Sequence, residues 1–202
     1  MTKMHDAIRQ WMFVGGDEAA KQIRDLARKQ PKLLNQPDDN GDSPLFLACC
    51  TMQAGAVKLL VELGADVKAK NGAGWPVFMK AAGDVSRDAL ELMIQKGADP
   101  RASVDGETAL HRAMLNDVNA VGNAELLLEH GVDINARDGM GWSALDKAAM
   151  DNLVAAADYL ISRGAEVHHV DSRGLSSLDI AVERGYTEMA ELLKKHGGLT
   201  TR

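Results

Sequence analysis

The sequence predicts an all-α protein built as a solenoid of stacked helix-turn-helix units. An eight-residue opening of similar sequence recurs five times, with its first glycine at 41, 74, 106, 141 and 174, which gives spacings of 33, 32, 35 and 33 residues. A second glycine closes each copy, at 64, 97, 131, 164 and 197. Self-similarity at a fixed period of this size is typical of solenoid proteins. The aromatic content of 4% suits closely packed small helices better than a β-sandwich, because strands favour aromatic residues.

Each copy carries the signals of two helices. A hydroxyl residue precedes the apolar run in four of the openings, where its side chain can cap free N–H groups of a first helix: Ser43, Thr108, Ser143 and Ser176. Pro44 stands at the first helical position, where its missing N–H costs nothing. The closing glycines are expected to end the second helix in a left-handed conformation.

The opening of the third copy, Gly106-Glu107-Thr108-Ala109-Leu110-His111-Arg112-Ala113, resembles the ankyrin repeat. Together with the period and the closing Gly-Ala-Asp, the resemblance covers roughly residues 38–198. It implies that the polar links between units form protruding β-hairpin tips. It also implies that partners bind at these tips and on the exposed face of the first helices.

Six units are predicted. Residues 1–37 form an N-terminal capping repeat, with one short helix around residues 7–12 and a second over residues 18–30. The spacing of the apolar residues places Trp11 in its core. Five ankyrin repeats follow, at 38–70, 71–102, 103–137, 138–170 and 171–202, and the last of them includes the C-terminal cap.

The third repeat departs from the pattern. Its two glycines are 25 positions apart where those of the others are 23 apart, and we expect the extra length in the loop that joins its helices, near residues 117–123. The link before it is one residue shorter than the others. Among the five repeats only His111 keeps the histidine of the family, so a uniform hydrogen-bond ladder between repeats is not expected. The other repeats have Phe46, Met79, Asp146 and Asp179 at that position.

The positions that flank each opening glycine are the predicted partner-binding positions. The site residues predicted in this way are Asn40, Asp42, Trp75, Asp105, Glu107, Met140, Trp142, Arg173 and Leu175. Trp75 and Trp142 occupy the same tip position in two repeats, and Trp is enriched in binding hot spots. Each indole either contacts a partner or folds back over a neighbouring tip. Asp38, Asp138 and Asp171 lie three residues before the glycine, where a carboxylate accepts hydrogen bonds from turn N–H groups.

Groups for catalysis or metal binding are not indicated, so we predict a non-enzyme with no cofactor. The chain has no glycine-rich phosphate loop, and the successive side chains of His168 and His169 diverge instead of converging on a metal. Cys49 and Cys50 have no histidine at a spacing that would orient a catalytic thiolate. An enzyme built on these repeats, an enzyme's regulatory subunit and a self-assembling structural protein remain alternatives.

The expected partner is another protein. A net charge of −6 disfavours binding to nucleic acid. No apolar run is long enough to span a membrane, and two adjacent cysteines suit a reducing compartment, so we expect a cytoplasmic monomer, with a secreted effector as the alternative. Within this class the sequence fits a scaffold, adaptor or inhibitor, and equally a regulatory, immunity or effector protein that acts on one enzyme.

Overall fold

The computed structural model describes the backbone of residues 2–14 and 16–201, and the side chains of all of these except residues 12–14. The chain divides into two compact units, Met1–Pro100 and Arg101–Arg202. Each unit is built from pairs of helices joined by short turns.

The first unit contains three helix pairs. Its helices are α1 (Lys3–Val14), α2 (Gly16–Lys29), α3 (Pro44–Cys50), α4 (Ala54–Glu62), α5 (Val77–Asp84) and α6 (Arg87–Gln95), with a 3₁₀ turn at Pro31–Leu34. The first helices pack side by side in the order α1, α3, α5, and the second helices in the order α2, α4, α6. The two rows enclose a core that includes Leu45, Leu60 and Phe78, each no more than 1% exposed.

The second unit repeats this arrangement. It contains β1 (Ser103–Val104), β2 (Glu107–Thr108), α7 (Ala109–Ala113), α8 (Asp117–Glu129), α9 (Ala144–Met150), α10 (Val154–Ser162), α11 (Ser177–Glu183) and α12 (Thr187–Lys195). The rows are α7, α9, α11 and α8, α10, α12. Leu110 and Leu127 are fully buried between them.

The predicted hydroxyl caps are confirmed at three first helices. Ser43 Oγ accepts a hydrogen bond from the N–H of Phe46 at 3.1 Å. Ser143 and Ser176 do the same and also form capping boxes, in which Asp146 and Asp179 accept from the N–H of the cap residue. The closing glycines have φ between 76° and 96°, as expected for a left-handed helix end.

Trp11 packs within the first unit, as its apolar spacing predicts. The indole is half-buried, and its carbons lie 3.4 Å from the position that a Cβ on Gly16 would take. A Cβ on Gly55, at the start of α4, would come within 2.9 Å of the ring. The capping helix is therefore fitted to the next repeat through a glycine that leaves room for the indole.

The extra residues of the third repeat lengthen a helix, so the prediction of a longer loop is wrong. α8 has 13 residues, whereas α4, α6, α10 and α12 have nine each. The side chain of Asn116 accepts a hydrogen bond from the N–H of Val118 at 3.1 Å and starts the helix early. Ala120, Ala124 and Leu127 follow at helical spacing and are fully buried, which stabilises the added turn.

Regular β-pairing is confined to one tip of the described chain, which corrects the expectation of a hairpin at every link. β1 and β2 pair antiparallel around Asp105 and Gly106, which have φ of 50° and 78°. Two successive residues with positive φ are what a type I′ hairpin requires. The link before this repeat is the short one, so only two residues remain for the turn. Two other links form a single bridge each, Lys70 with Pro76 and Val170 with Ser176.

Candidate protein-binding surface

The tips are fixed by side chains that accept hydrogen bonds from their own backbone. The name tip is used for residues 38–42 (first), 71–75 (second), 103–108 (third), 138–142 (fourth) and 171–175 (fifth). In four of them an Asp or Asn Oδ1 accepts from the N–H groups two and four residues later: Asp38, Asn71, Asp138 and Asp171. The prediction for the three aspartates is confirmed. Their carboxylates stabilise the turns.

His111 links the third repeat to the fourth. Its Nδ1 accepts from the N–H of Thr108 at 3.2 Å, so Nε2 carries the proton and donates to the carbonyl of Trp142 at 2.9 Å. Burial lowers the pKa of His111, and the hydrogen bond to the Trp142 carbonyl opposes that effect without cancelling it. The side chain is therefore a neutral structural link and not a free base.

The later repeats make the same link with carboxylates. Asp146 Oδ1 accepts from the hydroxyl of Ser177 in the next repeat at 2.5 Å. Asp179 accepts from the hydroxyl of Thr201, which follows α12, at 2.7 Å. The expectation that the ladder would not be uniform is confirmed, because His111 donates to a backbone carbonyl whereas Asp146 and Asp179 accept from hydroxyl groups.

A further link of this kind was missed in the sequence. His5 in α1 is fully buried and donates from Nε2 to the carbonyl of Asp42 at 2.9 Å, while its Nδ1 lies 2.7 Å from the hydroxyl of Thr2. The predicted capping repeat therefore also has the histidine of the family. The signal was the Thr2-X-X-His5 spacing, which matches that from Thr108 to His111.

Trp142 folds over the fifth tip. Its Nε1 donates to Asp171 Oδ2 at 2.7 Å. The ammonium of Lys147 lies 4.4 Å from the ring centre and the guanidinium of Arg173 lies 5.4 Å from it, both within the range of cation–π attraction. The polar edge of the indole therefore contacts a neighbouring tip, which is one of the two alternatives considered for this side chain. The side chain is only half-buried, so part of the ring stays accessible.

Asp171 is the acceptor on which the fifth tip depends. Arg173 donates to its Oδ2 from Nε at 2.9 Å and from Nη2 at 2.7 Å, and the N–H of Leu175 donates to its Oδ1 at 3.0 Å. Burial alone would raise the pKa of Asp171, but the hydrogen bonds from Leu175, Trp142 and Arg173 outweigh it and hold the pKa at about 2. The carboxylate is thus ionised throughout the neutral range.

The predicted site residues differ in accessibility. Four are exposed: Asn40, Asp105, Met140 and Arg173. Four are half-buried: Asp42, Trp75, Glu107 and Trp142. Leu175 was expected to project from its tip, but it is 3% exposed. The hydroxyl of Ser176 donates to the carbonyl of Leu199 at 2.9 Å, and the hydroxyl oxygen of Thr201 lies 2.7 Å from the carbonyl oxygen of Gly174, so residues 199–201 lie across this tip.

An apolar surface on the lengthened helix was not predicted. Val118 is 90% exposed in the first turn of α8, and Leu115, just before the helix, is 47% exposed. Val118 and Val121 lie three residues apart in the inserted segment, and this was the signal available in the sequence.

The residues considered for catalysis or metal binding either make structural contacts or lie on the surface. His168 is exposed, and His169 donates from Nε2 to the carbonyl of Gly141 at 2.7 Å. Burial raises the pKa of the Cys49 thiol, while Cys50 is exposed. Within the described ranges no three His, Cys, Asp or Glu residues are grouped so as to hold a metal ion, and no helix is long and apolar enough to cross a membrane.

In each unit the helices are paired and lie in two rows, and side chains link one repeat to the next at the tips. This arrangement defines a helical repeat protein. The family model "Ankyrin repeats (3 copies)" matches residues 52–138 and 78–171, which together span more than half of the chain. The chain belongs to the ankyrin-repeat family. The human ASB11 ankyrin repeat domain superposes with a TM-score of 0.82 over 100% of this chain and 86% of that one, at 21% identity. This confirms the predicted fold class.

Similar curated proteins share only their repeats with this chain. A transient receptor potential cation channel subfamily A member 1 homolog of Caenorhabditis elegans is 30% identical over 135 residues, which are 67% of this chain and 11% of that protein. Neurogenic locus notch homolog protein 1 of Xenopus laevis is 34% identical over 142 residues, 69% of this chain and 6% of that protein. This chain therefore spans about a tenth or less of each of these relatives. The ankyrin fold is a general module for binding other proteins and is typically not catalytic.

Proposed function

We propose that this chain is a protein-binding module, a scaffold, adaptor or inhibitor, that holds its partner against the tips and the exposed face of the first helices. The observation that carries the proposal is Met140, which is 51% exposed on the fourth tip directly beside the half-buried Trp142. A thioether next to an indole is the composition enriched in interface cores. A regulatory, immunity or effector protein would use the same surface, with one enzyme as its partner.

The fourth tip is preorganised for binding. Asp138 Oδ1 accepts from the N–H groups of Met140 and Trp142 at 2.9 and 3.0 Å, and its Oδ2 pairs with the ammonium of Lys147 at 3.0 Å. The carbonyl of Met140 accepts from the N–H of Ser172 at 3.1 Å. A tip whose backbone is already fixed loses little entropy when a partner docks, so more of the contact energy appears as affinity.

The proposed contact residues are the accessible members of the predicted set. They are Asn40, Asp42, Trp75, Asp105, Glu107, Met140, Trp142 and Arg173. Leu175 is left out because its side chain is covered. A reducing compartment such as the cytoplasm suits the free, exposed thiol of Cys50.

A methionine replacement tests the proposal. In capture from native lysate with quantitative mass spectrometry, Met140→Glu is expected to recover the main partner about tenfold or more below wild type, because a charge would be buried at a hot-spot position. The matched control is Met52→Glu, the same change at a side chain 63% exposed in the turn between α3 and α4. Both variants must keep the wild-type circular dichroism spectrum. Equal recovery on all three baits would count against the tips as the binding surface.

We also propose that the chain is a monomer before it meets its partner. The exposed Val118 and Leu115 are too few apolar side chains for a stable homodimer, which buries about 800 Å² on each subunit. Size-exclusion chromatography with light scattering over a hundredfold range of concentration is expected to give the mass of one chain. If the mass of the wild type rises with concentration while Val118→Glu keeps the mass of one chain, the chain self-associates through α8 instead.

A further inference from the structure

A small pocket opens on the first-helix face of the second unit, beside the fourth and fifth tips. Its lining residues are Trp142, Met150, Arg173, Ile180, Glu183 and Arg184. Its volume of about 140 Å³ is well below the roughly 300–1,000 Å³ of sites for small molecules and cofactors. The pocket therefore fits one or two side chains of another protein.

The walls of the pocket are apolar where they are deepest. Ile180 is 5% exposed, and Met150 and Trp142 are half-buried around it. Because Trp142 is held by its hydrogen bond to Asp171, the wall is rigid before a ligand arrives. A branched or aromatic side chain entering here would displace water from apolar surface, which is favourable in proportion to the area covered.

Two guanidinium groups, those of Arg173 and Arg184, line the pocket together with the carboxylate of Glu183. Arg184 is exposed at the end of α11, and its guanidinium makes no hydrogen bond or ion pair within the described chain. Arg173 lies on the rim with its side chain 55% exposed, and it already pairs with Asp171. Glu183 also lines the pocket, but it is engaged in an interaction of its own. The guanidinium left to receive a ligand is that of Arg184.

We infer that this pocket binds an acidic side chain, Asp or Glu, that adjoins a bulky apolar residue in an exposed segment of the partner protein; the inference rests on the proposed function. The apolar residue packs on Ile180 and Trp142, and the carboxylate accepts hydrogen bonds from Arg184. A planar guanidinium matches a carboxylate with two parallel hydrogen bonds, which gives geometric selectivity as well as attraction. The net charge of −6 does not oppose this, since exposed charges beyond about 10 Å are largely screened at 0.1 M salt.

Peptide display tests the inference without knowledge of the natural partner. Random twelve-residue peptides are selected on the immobilised wild-type chain, and the best binder is then measured by fluorescence anisotropy. Enrichment of Asp or Glu next to Leu, Ile, Phe or Trp is the expected result. Arg184→Glu is expected to weaken that peptide at least tenfold, and a peptide with Lys in place of its acidic residue is expected to regain affinity for this variant.

The control is Lys195→Glu, which makes the same change of charge at an exposed side chain on α12. It is expected to alter the affinity by less than twofold. Any of three results would overturn the inference. The selected peptides could lack an acidic residue, the selection could give no enrichment, or both variants could weaken binding of the peptide equally. If the peptides fail but the partner captured from lysate still depends on Met140, the proposed function stands and only the assignment of this pocket falls.

Discussion

Replacing Asp171 with alanine is expected to lower the free energy of unfolding by about 3–5 kcal/mol, because several hydrogen bonds to one buried carboxylate are lost together. The Asp171 side chain is fully buried and accepts from the indole of Trp142, the backbone of Leu175 and the guanidinium of Arg173. Alanine would leave these donors without their acceptor, and each buried donor left unpaired costs about 1–3 kcal/mol. The loss is a large share of the 5–15 kcal/mol that is typical of a folded domain.

Urea unfolding followed by circular dichroism measures this loss, and Arg173→Ala is the control. The Arg173 side chain is 55% exposed, so its removal is expected to cost about 1 kcal/mol or less. A clear gap between the two variants would show that the buried acceptor, and not the surface cation, supports the fifth tip. Equal losses would contradict the argument that Asp171 satisfies several buried donors at once.

The same carboxylate makes stability depend on pH in a definite direction. The pKa of Asp171 is about 2 in the folded chain against an ordinary value of 3.8, so the unfolded chain binds the proton more readily. Its contribution of about 2 kcal/mol is therefore complete above roughly pH 5 and is lost as the pH falls towards 2. The amide side chain of the Asp171→Asn variant does not titrate in this pH range. The free energy of unfolding of this variant is expected to lie below that of wild type, and the difference measured by urea unfolding is expected to be about 1 kcal/mol smaller at about pH 3 than at about pH 6.

The sequence predicted what depends on local spacing. Ser43 and the closing glycines are short-range signals, because a hydroxyl caps a helix that starts at the next residue. Asp171 was predicted as a turn acceptor for the same reason. The length of α8 was not predicted, because the strength of Asn116 as a cap decides whether the residues after it form a loop or a helical turn.

The sequence did not predict contacts between repeats. The contact between Trp142 and Asp171 joins residues 29 apart and depends on the rotamer of the indole, so both alternatives for that side chain remained open. Arg184 is exposed at the end of α11, but its pocket exists only because Trp142 in the fourth tip and Met150 at the end of α9 lie beside that helix. Such sites depend on packing that the spacing of residues along the chain does not encode.

Replacing Gly106 with alanine is expected to destabilise the chain by about 3 kcal/mol or more, for two separate reasons. Gly106 has φ of +78°, where a residue with a Cβ pays about 1–2 kcal/mol of strain. A Cβ at this position would also lie 2.3 Å from the carbonyl oxygen of Arg137 and 3.3 Å from the Cα of Asp138. Both of these are backbone atoms at the junction of the third and fourth repeats, which cannot swing aside as a flexible side chain does, and overpacking of this kind typically adds about 1–3 kcal/mol.

Gly131→Ala separates the two reasons. Gly131 has nearly the same backbone conformation, with φ of +76°, but no atom of a neighbour lies within 4 Å of the position of a Cβ there. Alanine at this position is therefore expected to cost only the strain, about 1–2 kcal/mol, in the same urea measurement. A larger loss for Gly106→Ala would establish that the third tip packs closely against the backbone of Arg137 and Asp138, where the fourth repeat begins. Equal losses would mean that the two can move apart at little cost, and the preorganisation argued for the fourth tip would then not extend to its contact with the third.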